Sequence, residues 1–99
     1  MSRAVYTIAT YYELIGILLY RKLIDIVTVY DVWGGNPRNY YQKIKPIVLE
    51  MRKTGEPGIL VGFEYLCDEL KRNERHLRKT WGKYMQSGLN SQQSGAKNG

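Results

Sequence analysis

Glu64 and Asp68 stand four residues apart, a spacing that puts both carboxylates on one side of a helix. Glu69-Leu70-Lys71 follows at once. Two carboxylates beside a lysine are groups with which a nuclease can hold a divalent ion and orient water. That chemistry is normally built on a sheet, and Asp68 has Lys71 and Arg72 within helical reach as ion-pair partners, so a surface row of ion pairs is the simpler reading. Cys67, between Leu66 and Leu70, falls on an apolar stripe where a thiol packs as a small hydrophobe; a nucleophile needs exposure and an electropositive setting. His76 finds no serine for a Ser-His pair: Ser2 is taken up as a helix cap, and Ser87, Ser91 and Ser94 lie in the polar C-terminal stretch. One histidine and one cysteine cannot supply a four-ligand zinc site of the usual kind. Gly34-Gly35 has no strand before it and no Lys-Ser/Thr after it, so it is not a phosphate loop. No catalytic residue, metal, cofactor or small-molecule substrate is expected.

The charge is concentrated in one place. There are 15 Lys and Arg against 9 Asp and Glu, a net charge of +6. Residues 1–70 hold eight of each sign, whereas residues 71–83 hold Lys71, Arg72, Arg75, Arg78, Lys79 and Lys83 against Glu74. Cations with aromatics among them can neutralise phosphates and stack on bases, which makes Arg72, Arg75, Arg78, Lys79, Lys83 and Trp81 the candidate nucleic-acid-binding residues. The same stretch suits an anionic membrane surface, and it also suits a solvated helix end whose cations complement the macrodipole. Residues 25–45 read as helix, glycine turn, helix, the outline of a helix-turn-helix with Arg38, Asn39, Gln42, Lys43 and Lys45 on its second helix. The Gly-Gly-Asn-Pro turn, the bulk of Tyr30 and the bend expected at Pro46 favour a plain helical hairpin.

Four helices account for the hydrophobic pattern. The first runs from about Arg3 to Arg21, capped by Ser2, with Val5, Ile8, Ala9, Tyr12, Ile15, Gly16 and Leu19 on one stripe. Tyr11, Leu14, Ile17 and Leu18 carry apolar character beyond that stripe, so this helix wants more than one neighbour. Asp25 caps a second helix, Ile26 to Trp33, stopped by Gly34-Gly35. Asn36-Pro37 opens a third, with Asn36 as its cap and Pro37 as its first helical residue, and Pro46 should kink it. The fourth runs from about Ile59 to Tyr84, with Asn73 and Glu74 interrupting its apolar stripe, so that it is expected to outrun the bundle beyond about residue 72. Its start overlaps Gly58-x-x-x-Gly62, read as a turn glycine plus one close contact. Residues 86–99 are polar and rich in Gly and Ser, and read as a disordered tail. Leu14–Tyr20, the most apolar window, is far shorter than the roughly 20 residues that span a membrane. The single cysteine points to a reducing, cytoplasmic setting.

Some of these residues form a pattern. Tyr11-Tyr12-Glu13, Leu23-Ile24-Asp25, Trp33-Gly34-Gly35, Asn39-Tyr40-Tyr41 followed by Pro46, Arg52, and Phe63-Glu64-Tyr65-Leu66 together resemble a family of small helical prokaryotic proteins classed only as a domain of unknown function. The resemblance covers roughly residues 5–70. It implies helices and supplies no activity. Many such relatives carry a membrane helix ahead of this domain; none is expected here.

The expected molecule is all-α: a compact bundle of about four helices with a kinked third helix, one domain over residues 1–85 with its basic end at 71–84, and a disordered tail over 86–99. So small a chain buries only about 60% of its unfolded surface, and self-association would add burial. Nine tyrosines against one phenylalanine suit half-buried and interface positions. The expected function is a non-enzymatic interaction or assembly module, a homodimer packed through the first helix by Tyr12, Ile15, Leu18 and Leu19. The alternative is a nucleic-acid-binding accessory protein using residues 71–83.

Overall fold

In a computed structural model, which describes the backbone of residues 1–98 and the side chains of 1–83 and 86–88, the chain forms five helices and, among those residues, no strand. α1 (Arg3–Tyr20) starts where the Ser2 hydroxyl accepts the Val5 N–H at 3.2 Å. It ends in a reversed turn. Lys22 N–H donates to the Leu19 carbonyl at 3.0 Å, Leu23 N–H donates to that of Leu18 at 2.9 Å, and Lys22 takes the left-handed φ of 59°. α2 (Ile26–Trp33) has the expected bounds: Asp25 accepts the Thr28 N–H at 2.7 Å, and Gly34 leaves the helix at φ 57°. Its β-branched run is helical because Val29 is fully buried and Ile26 and Val27 pack beside the core.

α3 (Asn36–Lys53) is capped by Gly35, so Asn36 is its first helical residue rather than its cap, and buried Pro37 is its second. The helix runs unbroken past Pro46, which sits on the exposed side between buried Ile44 and Val48. The single fourth helix expected over 59–84 is two helices, α4 (Val61–Arg72) and α5 (Glu74–Asn98), so five helices replace the expected four. The break is at Asn73, whose side-chain amide and backbone N–H both donate to the Glu69 carbonyl, at 2.8 and 3.1 Å. A short amide that bonds the preceding turn competes with helix continuation. α5 continues as helix through Asn98 where composition predicts an unstructured tail; its side chains from residue 89 onward, and those of Tyr84 and Met85, lie outside the described residues.

α4 is the hub, touching α1, α3 and α2, while α2 also touches α5. Fully buried Phe63 is central. The rings of Tyr12, Tyr41 and Tyr40 lie 5.0, 5.1 and 6.5 Å from its centroid. α1 and α4 cross at Gly16 and Gly62, where a Cβ on Gly16 would overlap the Gly62 carbonyl. The close contact expected of Gly58-x-x-x-Gly62 is therefore made at Gly62. The radius of gyration, 17.2 Å, exceeds the ~13 Å of a compact chain this long, because α5 extends beyond the helices packed around α4.

Candidate functional site

The charged groups with the most elaborate surroundings join elements of the fold. α4 begins from Leu60 in the left-handed conformation and has no side-chain cap of its own. Glu13 of α1 supplies one. Its Oε1 accepts the Phe63 N–H at 2.7 Å, and its Oε2 accepts that of Gly62 at 3.2 Å. Arg52, at the end of α3, donates from Nε and Nη2 to the Ile59 carbonyl (3.1 and 3.0 Å) and from Nη1 to Glu64 Oε2 (2.9 Å). The Tyr41 hydroxyl donates to that same oxygen at 2.9 Å. Hydrogen bonding from Arg52, reinforced by Tyr41, holds the Glu64 carboxyl below its ordinary range against the opposing effect of burial. Burial, with the bond to Glu64, pushes the Tyr41 phenol up to about 12.

This engagement bears on the candidate carboxylates. Glu64 is committed to Arg52 and Tyr41, Asp68 is exposed, and Glu69 pairs with Arg72 at 3.1 Å. Among the described residues no group of three or more His, Cys, Asp or Glu is placed to hold a metal ion. Cys67 donates its thiol to the Pro37 carbonyl at 3.7 Å, and burial pushes that thiol up to about 12. α2 packs on α4 and α5 rather than along α3, unlike the paired helices of a helix-turn-helix. The roles of Glu13 and Arg52 escape local reasoning. Both residues stand in the pattern of the family resemblance, the only signal that marks them.

α1 is apolar on two sides, and the structure distinguishes them. Ala9, Ile15, Gly16 and Leu19 face inward and are buried, with Val5 and Tyr12 half-buried beside them. Ile15 and Leu19, two of the four expected dimer anchors, are 4% and 8% exposed and pack into the core of the single chain. The glycine crossing brings α4 down onto that stripe. Tyr12 packs on Phe63, and Leu18 is half-buried at the border. The outer side carries Tyr6, Leu14, Ile17 and Tyr20, at 53%, 53%, 37% and 69% exposed. From Ala4 to Tyr20 the only ionic side chain is Glu13, which is turned to α4. Along this flank runs a groove of about 420 Å³ walled by Ile17, Tyr20, Val61 and Tyr65.

The basic segment is divided by the break at Asn73. Arg72 pairs with Glu69, and Arg78 pairs with Glu74 at 2.7 Å, a carboxylate that Arg38 also approaches at 3.5 Å. Leu77 is buried and Trp81 half-buried, which fixes the inner side of α5. Arg75, Lys79 and Lys83 follow at successive turns on the opposite, exposed side, and none of them enters an ion pair among the described residues. Trp81 and these three cations therefore point apart.

Fold and faces together define a small all-α domain with one bare apolar helix face and one basic stripe. The chain belongs to the family described as Domain of unknown function (DUF4760), which matches residues 1–70, from α1 to the end of the α4 core. No curated protein and no solved structure matches it. The α1 face lies inside the matched region, and the basic stripe of α5 lies beyond it.

Proposed function

We propose that this protein is a non-enzymatic interaction module whose contact surface is the outer face of α1. One observation carries the reading: a helix already packed on its inner side keeps Tyr6, Leu14, Ile17 and Tyr20 in solvent, and the one ionic residue among them, Glu13, is turned to cap α4. A surface helix of a self-sufficient domain puts charge on that side, and contiguous exposed apolar patches mark contact sites. The test is the double variant Leu14→Glu, Ile17→Glu in the full chain. Both side chains are exposed, so the melting temperature should move by no more than a few degrees, as for surface substitutions worth about 0.5 kcal/mol or less. Association, read as mass in solution by light scattering and as vesicle sedimentation, should be lost. A double variant that leaves both readouts unchanged refutes the reading.

The second reading is a nucleic-acid-binding accessory role, favoured by the stripe Arg75, Lys79 and Lys83. Three cations displacing counterions from duplex DNA should give a slope of log affinity against log salt of about −2.7. Fluorescence anisotropy on random duplex checks this, and replacing all three with glutamine should bring the slope near zero.

A further inference from the structure

We propose that the outer face of α1 rests on the surface of an anionic lipid bilayer, an inference that depends on reading this face as the contact surface. The order of chemistry along the face is what such a surface would select. Leu14 and Ile17, with Thr10 before them, make an uncharged middle. Tyr6 and Tyr20 flank it, 53% and 69% exposed. Outside both stand cations, Arg3 at one end and Arg21 with Lys22 at the other, all exposed. Arg3 and Arg21 are about five helical turns apart, so they project from the same side as Leu14 and Ile17. At a bilayer surface the apolar middle meets the acyl boundary, tyrosine rings sit at headgroup level and cations meet phosphate. No helix among the described residues is long and apolar enough to cross the bilayer, so α1 lies along it with the rest of the domain on its far side.

The acidic residues nearest in sequence do not oppose this arrangement. Glu13 and Asp25 are both engaged as helix caps. Charge also argues against the other occupant, a second copy of the chain. α1 laid on α1 sets Arg3 against Arg3 in a parallel pair and against Arg21 in an antiparallel one, and the one acidic residue of the helix, Glu13, is already bonded to the start of α4. A phosphate-bearing surface complements both ends at once.

The test is co-sedimentation of the full chain with vesicles of phosphatidylcholine alone, or of phosphatidylcholine with about one third phosphatidylserine, at about 0.1 and 0.5 M salt. Binding is expected to the anionic vesicles, much weaker to the neutral ones, and reduced by salt. Leu14→Glu with Ile17→Glu should abolish it. Arg21→Gln with Lys22→Gln should weaken it about 25-fold, roughly fivefold per cation. Glutamine at Arg75, Lys79 and Lys83 should leave it unchanged. The proposal is overturned by no binding to anionic vesicles, by equal binding to both kinds, or by loss only in the α5 triple variant. If vesicles are ignored but light scattering finds a dimer that the Leu14/Ile17 variant dissolves, the lipid proposal fails and the contact face stands. If that variant changes neither readout, both fail. Should the double variant misfold, the Arg21/Lys22 variant decides.

Discussion

Glu13 is the residue on which the α1–α4 junction turns. It supplies from one helix the cap that α4 lacks, opposite a left-handed Leu60 and next to the glycine crossing. A carboxylate at a helix N-terminus meets both unpaired N–H groups and the positive end of the dipole. Glu13→Ala should therefore cost about 2 kcal/mol in urea unfolding, with Glu13→Gln between the variant and the parent; identical midpoints for parent and Ala variant would remove the cap from the account. Glu64 makes a different, pH-dependent contribution. Its folded pKa lies below the ordinary 4.5, through Arg52 first and Tyr41 after it. The stabilisation is thus complete above the unfolded value and lost as pH falls through the folded one. The melting temperature should drop on acidification below about pH 4.5, and Glu64→Gln should make that part of the profile shallower. The Tyr40 hydroxyl is buried without a hydrogen-bond partner among the described residues. Tyr40→Phe removes a desolvation cost and should leave the chain as stable or up to about 1 kcal/mol more stable in the same urea titration.

Among the elements, α1 depends most on its termini and its two sides. Its C-terminal reversed turn places Lys22, not glycine, at φ 59°. A side chain in that region costs roughly 1–2 kcal/mol, part of which glycine returns through its greater freedom in the unfolded chain. Lys22→Gly should stabilise by about 0.5–1 kcal/mol, measured as a higher thermal midpoint. The same variant removes a cation from the lipid-facing end, so stability and vesicle binding should move in opposite directions. α2 shows how complete local signals can be: Asp25 starts it and Gly34 stops it, and its bounds follow from those two residues. α4 and α5 show the opposite. Leu66, Leu70, Leu77 and Trp81 keep helical spacing across the break, so the pattern reads as one helix. Polar Asn73 and Glu74 interrupt that stripe, but the pattern does not show that the Asn73 side chain turns back to Glu69 and ends the helix.

At the scale of the whole molecule, three helices pack around α4 and a fifth projects, giving extents of 62 × 26 × 21 Å. The all-α class, the capped starts of α1 and α2, the family to which residues 1–70 belong and the concentration of positive charge after residue 70 were all legible in the sequence. Each rests on signals that act within a turn or two of chain, or on composition. Three matters were decided by the tertiary structure alone. Periodicity shows that α1 is apolar but not which side is inside; the Gly16–Gly62 crossing settles that, burying Ile15 and Leu19 and leaving Leu14 and Ile17 in solvent. The cap on α4 comes from a residue 49 and 50 positions away from its partners, beyond the reach of any local rule. The basic stripe is defined by what Leu77 and Trp81 face, which depends on where α5 docks. In each case an interaction specified by short-range geometry could be read from neighbours in the chain, whereas the choice between two equally apolar faces is made only when another helix packs against one of them.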